Sequence, residues 1–79
     1  MALTYTPPIV RDWTATDGQQ ALTTRDLYPE PAALAFIKEF QSPKGTILTV
    51  TGGLVERRWK VGYRRLRGGW TTVVLYDVD

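Results

Sequence analysis

The sequence predicts an α+β fold. A three-stranded antiparallel meander spans about residues 46–78 and packs against one helix at about 30–41, behind an N-terminal strand or hairpin. Three observations carry this. Two glycine pairs, Gly52-Gly53 and Gly68-Gly69, separate three runs rich in β-branched and aromatic residues. The segment PEPAALAFIKEFQ repeats its apolar residues with a helical period. The pairing that the glycines impose then collects apolar side chains on one face of the meander. The element order is ββαβββ, or βαβββ without the second strand. A small barrel-like closure through the N-terminal strand is the alternative.

Pro7-Pro8 favours an extended entry into the chain. IVRDWTA follows as a strand, with Ile9, Arg11 and Trp13 on one side. Asp17-Gly18 is a two-residue hairpin signal. A tight turn there sets Thr16 opposite Gln19 and Trp13 opposite Leu22. The second strand, roughly residues 19–25, has weak intrinsic propensity.

In the helix, Pro31 can occupy the first turn, where its missing N–H costs nothing, and Glu30 complements the dipole. Ala33, Phe36, Ile37 and Phe40 follow the i, i+3, i+4, i+7 rule, with Leu34 beside them. Lys38, Glu39 and Gln41 form a polar side, and Ser42-Pro43-Lys44-Gly45 ends the helix. About three turns do not persist without packing. The stripe is therefore read as the cover of the sheet rather than a membrane or partner helix.

TILTVT, LVERRWKVGYRRLR and WTTVVLYDV are the meander strands. A two-residue turn at Gly52-Gly53 pairs Val50 with Val55, Leu48 with Arg57 and Thr46 with Trp59. The same turn at Gly68-Gly69 pairs Tyr63 with Val74, Val61 with Tyr76 and Trp59 with Val78. One face then holds Leu48, Val50, Val55, Trp59, Val61, Tyr63, Val74, Tyr76 and Val78. The other holds Glu56, Arg58, Lys60, Arg64, Asp77 and Asp79, with Ile47, Val73 and Leu75. Lys60 falls opposite Asp77 and Arg58 opposite Asp79, pairs that favour this register.

The chain of 79 residues fits one small domain, residues 1–79. It has neither cysteine nor histidine, which excludes disulfides, thiolate metal sites and the commonest general base. Ser42, the only serine, has no histidine to activate it. Lys44-Gly45-Thr46 lacks the rest of a phosphate loop, and reads as a helix-to-strand turn. Asp17 reads as a turn residue and Asp26 as a pre-helix residue, rather than as a metal site with Asp12. Glu56, Asp77 and Asp79 suit ion pairs better than a metal. The expectation is a non-enzyme with no cofactor and no metal. No apolar run approaches membrane-spanning length, and MALTYTPPIV lacks the regions of a signal peptide. A cytoplasmic protein without membrane contact is expected.

The formal net charge is only +2, but six of the ten Lys and Arg residues crowd into RRWKVGYRRLRGGW, residues 57–70. Arg58, Lys60 and Arg64 belong to the non-core face. Arg65 and Arg67 lie toward the hairpin tip, on the core side but beyond the helix. Arg57 points to the core side with its stem over apolar groups. Trp70 sits across from Arg67, where a cation–π contact can form. The bland reading is a solvated sheet face, its charges partly neutralised and protecting against edge pairing. The sharper one is a partner-binding surface of Arg58, Lys60, Arg64, Arg65, Arg67 and Trp70.

The expected partner is an acidic protein surface or a nucleic-acid-binding protein complex, or alternatively DNA or RNA directly. Assigning Trp59 and Tyr63 to the core puts aromatics and exposed cations on different faces, which counts against a stacking platform. TILTVT is a sheet edge open to strand addition unless the N-terminal hairpin pairs with it. The function expected is a non-enzymatic binding module that occludes or bridges a macromolecular surface. In size and style it is similar to small accessory and inhibitor proteins of mobile elements, including anti-CRISPR proteins, with no shared motif. A nucleic-acid-binding domain and a small structural assembly subunit are the alternatives.

Overall fold

The computed structural model describes residues 9–78. The extended entry expected from Pro7-Pro8, and Asp79 as a partner for Arg58, lie outside these residues. The protein has an α+β fold with one helix and a five-stranded antiparallel sheet. In chain order the elements are β1 (Arg11–Thr16), β2 (Ala21–Asp26), α1 (Glu30–Phe40), β3 (Ile47–Gly52), β4 (Val55–Arg65) and β5 (Thr71–Asp77), with a short 3₁₀ turn at Arg67–Gly69. The order across the sheet is β2-β1-β3-β4-β5. The expected three-stranded meander is thus part of a wider sheet, because β1 pairs antiparallel with β3. That pairing covers Thr49, Val50 and Thr51 of the TILTVT edge.

The β1–β2 hairpin does not turn tightly on Asp17-Gly18. Thr16 pairs with Ala21 and Ala15 with Leu22, leaving a four-residue connection. Asp17 governs it through its side chain: Oδ1 accepts from the N–H groups of Gln19 and Gln20, each at 2.9 Å. Thr16 Oγ1 adds a bond to the Gln20 carbonyl at 2.7 Å and accepts from Gly18 N–H at 3.0 Å. An Asx-type turn of this kind offers the backbone substitute partners within the loop. The slip from the tight-turn register is even, so the faces are unchanged and Trp13 still points inward.

Asp26 closes β2, its Oδ1 accepting from Leu27 N–H at 2.7 Å just before the helix. Pro31 lies in the first turn of α1 and Gln41 ends it in the left-handed region, φ 50°. The buried face of α1 is Ala32, Ala33, Phe36 and Ile37, with Phe40 packed against it. Leu34, expected beside that stripe, is exposed. The two phenylalanine rings meet at 4.6 Å in a tilted pair. The helix lies mainly over β2 and β1 and reaches β3. Beneath it sit Trp13 and Ala15 of β1, Leu48 and Val50 of β3, and Trp59 and Val61 of β4.

The β3–β4 turn is Gly53-Leu54, not Gly52-Gly53: Gly52 pairs with Val55, Val50 with Arg57 and Leu48 with Trp59. Gly52 is required elsewhere. A Cβ on it would lie 2.4 Å from Trp13 Cε3, so the indole can rest there only on a bare backbone. Gly53 supplies the positive φ, 59°, at the first turn position. This slip is also even, so Leu48, Val50, Val55, Trp59 and Val61 keep the inner face.

The β4–β5 register departs by one residue, and the consequence is larger. Tyr63 pairs with Val73, Val61 with Leu75 and Trp59 with Asp77. Gly68-Gly69 is not a two-residue turn. The connection runs from Leu66 to Trp70, closed by Leu66 N–H donating to the Trp70 carbonyl at 2.6 Å and by Gly69 N–H to the Leu66 carbonyl at 3.3 Å. Its odd length reverses every side chain of β5. Val73 and Leu75 turn inward and pack against the core. Val74 and Tyr76 turn outward, with Val78 on the same alternation. The expected pair Lys60–Asp77 does not form: Lys60 faces Tyr76, and the Arg58 carbonyl accepts a bond from Val78 N–H.

Candidate functional site

Strand β4 is 11 residues long. At about 3.3 Å per residue it runs roughly 35 Å. Its first half pairs with β3 as far as Lys60, and Val61 still exchanges bonds with Gly45 and Thr46. From Gly62 to Arg65 it pairs with β5, so the distal half of this hairpin projects from the sheet as an arm. Tyr63 ties the base of the arm to the body: it is on the inner side, and its hydroxyl donates to the Ser42 carbonyl in the turn after the helix.

The six expected site residues do not form one patch. Arg58, Lys60 and Arg64 lie on the outer face of β4 and are exposed. Arg65 is on the inner face, with Nη2 3.9 Å from where a Cβ on Gly69 would stand. Arg67 is in the tip turn. Trp70 is 75% exposed beside Gly68, and faces Leu66 rather than Arg67. The cation–π contacts lie elsewhere: Arg11 over Trp13 at 5.5 Å and Arg57 over Trp59 at 5.4 Å. Arg57 also reaches Asp77 at 3.8 Å, and Trp59 Nε1 donates to the same carboxylate at 2.9 Å. Asp77 is therefore occupied on the inner face. It does not neutralise the outer cations, and it does not join Glu56.

The reversal of β5 brings to the arm a residue that sequence reasoning placed in the core. Tyr76 lies on the outer face opposite Lys60, and its ring crosses Gly62: a Cβ there would be 2.5 Å from Tyr76 Cε2. The outer strip thus reads Arg58, Lys60, Gly62, Arg64 on β4 beside Tyr76, Val74, Thr72 on β5. Aromatic and cationic side chains share a face after all. Gly62 inside the WKVGYRR strand was the available signal, since a strand glycine often marks close approach by another group.

Across the sheet the outer face changes chemistry. On β2, β1 and β3 it is a threonine surface: Thr14 pairs with Thr23 and Thr51, and Thr16 with Thr49. The two hydroxyls of Thr14 and Thr23 share a 2.8 Å hydrogen bond, and Arg25 is paired with Asp12 at 3.3 Å. On the arm, Arg64, Arg65 and Arg67 come within ion-pair distance of no described acid. Among the described residues there is no cluster of three potential metal-binding side chains and no enclosed pocket. No helix among them is long and apolar enough to cross a membrane. Set against known proteins, the chain matches no protein-family model, no curated protein and no solved structure.

Proposed function

We propose that the protein is a non-enzymatic contact module that docks on a negatively charged macromolecular surface through the β4–β5 arm, occluding or bridging it. One observation carries this reading. The arm holds Arg64, Arg65 and Arg67 without a described acid beside them, and an exposed Trp70, on a hairpin that reaches past the helix-covered core. Unneutralised cations steer and orient an acidic partner, and Arg and Trp are over-represented among residues that dominate interface energies. Occlusion of a functional face would make the module an inhibitor or accessory protein, in the style of the small proteins of mobile elements.

The test is affinity capture from host extract with wild type and with Arg64→Glu/Arg67→Glu, each with and without nuclease. Both substitutions lie at exposed positions and leave the core intact. A partner retained by wild type and lost by the charge-reversed protein is expected. Equal recovery by the two proteins overturns the arm as the docking element.

A further inference from the structure

We propose that the partner of the arm is single-stranded nucleic acid, held on the outer strip with Tyr76 as a base-stacking platform between Lys60 and Arg64. This rests on the arm being the docking element and adds the class of ligand. Three features converge. Lys60, Gly62 and Arg64 alternate along the outer face of β4, so the two cations stand about 13 Å apart with the glycine between them. Into that gap β5 places the Tyr76 ring, which lies against Gly62 where a side chain would stand, yet Tyr76 remains 53% exposed. The backbone thus takes one side of the ring and leaves the rest open. Farther out, Trp70 offers a second exposed aromatic, with Arg67 in the same tip turn.

Cations flanking an exposed ring are the elements by which sequence-tolerant single-strand binders work. The cations follow the phosphates, and the rings stack on unpaired bases. A duplex keeps its bases stacked on each other and offers a tyrosine face nothing to stack on. An acidic protein surface could also take the ring as an interface anchor, but the ring set between two cations about 13 Å apart matches a strand whose phosphates and bases alternate. The only acid among the described residues of the strip is Glu56, at the far end beside the β3–β4 turn.

The experiment measures fluorescence anisotropy of labelled oligo(dT) and oligo(U) 12-mers, and of a 12-base-pair duplex, at several salt concentrations. Single strands should bind more tightly than the duplex. The logarithm of affinity should fall with the logarithm of salt with a slope of about −2, as for some three phosphates neutralised. Arg64→Ala should make the slope shallower by about 0.7. Tyr76→Phe should retain binding within about two-fold, whereas Tyr76→Leu should weaken it by about 5- to 150-fold, the range of one lost stacking contact. A readout in the unaltered protein guards against a variant that merely loosens the arm. Trp13 and Trp59 are buried and Trp70 is exposed, so quenching of the exposed tryptophan emission by oligo(dT) reports stacking at the tip.

Absence of binding to both single strands at low salt overturns the proposal. So does duplex binding as tight as single-strand binding with no quenching. If a nuclease-resistant complex is then still captured in an Arg64- and Arg67-dependent manner, the arm remains the docking element and its partner is a protein. If capture also fails to depend on those arginines, both readings fall.

Discussion

The two β-hairpins of this protein, β1–β2 and β4–β5, are built on the same local device. Each opens with Arg-x-Trp on the inner face: Arg11 and Trp13 in one, Arg57 and Trp59 in the other. In each the guanidinium lies over the indole, at 5.5 and 5.4 Å. In each the indole N–H donates to an aspartate at the end of the partner strand, the Asp26 carbonyl at 3.0 Å and the Asp77 carboxylate at 2.9 Å. Both tryptophans are buried. What differs is cover and loop. The first hairpin lies under α1, and an Asx turn closes it with four residues. The second runs past the core and is closed by an odd-length, glycine-bearing connection. One device therefore serves two ends. Where the helix covers it, the inner face of the hairpin is part of the core; where the cover stops, the residues around the tip are exposed on both faces and available for contact.

The sharpest way to break this comparison uses a glycine from each half. A Cβ at Gly52 meets Trp13 at 2.4 Å, and a Cβ at Gly62 meets Tyr76 at 2.5 Å. The overlaps are nearly equal but the neighbours are not. Trp13 is buried and hydrogen-bonded, and has nowhere to go, while Tyr76 is half exposed and can swing away. Gly52→Ala should cost about 1–3 kcal/mol. That lowers the thermal midpoint by roughly 5–20 °C in a domain of this size. Gly62→Ala should cost under about 1 kcal/mol, because strand glycine is itself unfavourable and the ring relocates into water. Equal losses in thermal melts would show that the arm is packed as tightly as the core.

The second test concerns the odd loop. Deleting Gly69 makes the connection even in length and leaves only Arg67-Gly68 between Leu66 and Trp70, so the observed pairing persists only if the tip is rebuilt as a tighter turn. Val73 and Leu75 hold the observed register from the core side. The deletion should therefore strain the arm at a cost of about 1–2 kcal/mol, within the range of single-site backbone effects. Amide hydrogen exchange should speed up along β5 while β1 and β2 are unaffected. Uniform acceleration across both hairpins would mean that the arm and the covered hairpin unfold as one unit.

The smallest effect belongs to the Asx turn. The Asp17 carboxylate accepts from the Gln20 and Gln19 N–H groups, which hold its pKa below the ordinary 3.8. A carboxylate depressed in the folded state contributes stability that is complete above that ordinary value and disappears as pH falls through the folded one. Asp17→Asn keeps an acceptor oxygen but cannot titrate. It should leave the midpoint near pH 7 almost unchanged and flatten the decline of stability below about pH 4. An unchanged acid limb in the variant would show that the turn carries no pH-linked stability.

The sequence by itself determined the helix, the strand positions and the inner face of β1, β3 and β4. Trp13, Leu48, Val50, Trp59 and Val61 could be assigned inward because side chains alternate with period two. The turn errors at Asp17-Gly18 and Gly52-Gly53 were both even, and even slips leave faces intact. Only tertiary structure decided that Gly52 serves Trp13 rather than the turn, that β1 pairs with β3, and that the last connection is odd. A Gly-Gly pair is compatible with connections of either parity, so nothing local chooses between them. The choice comes from Val73 and Leu75 packing against a core that other strands and the helix assemble. It is also that choice which sets Tyr76 beside the cations.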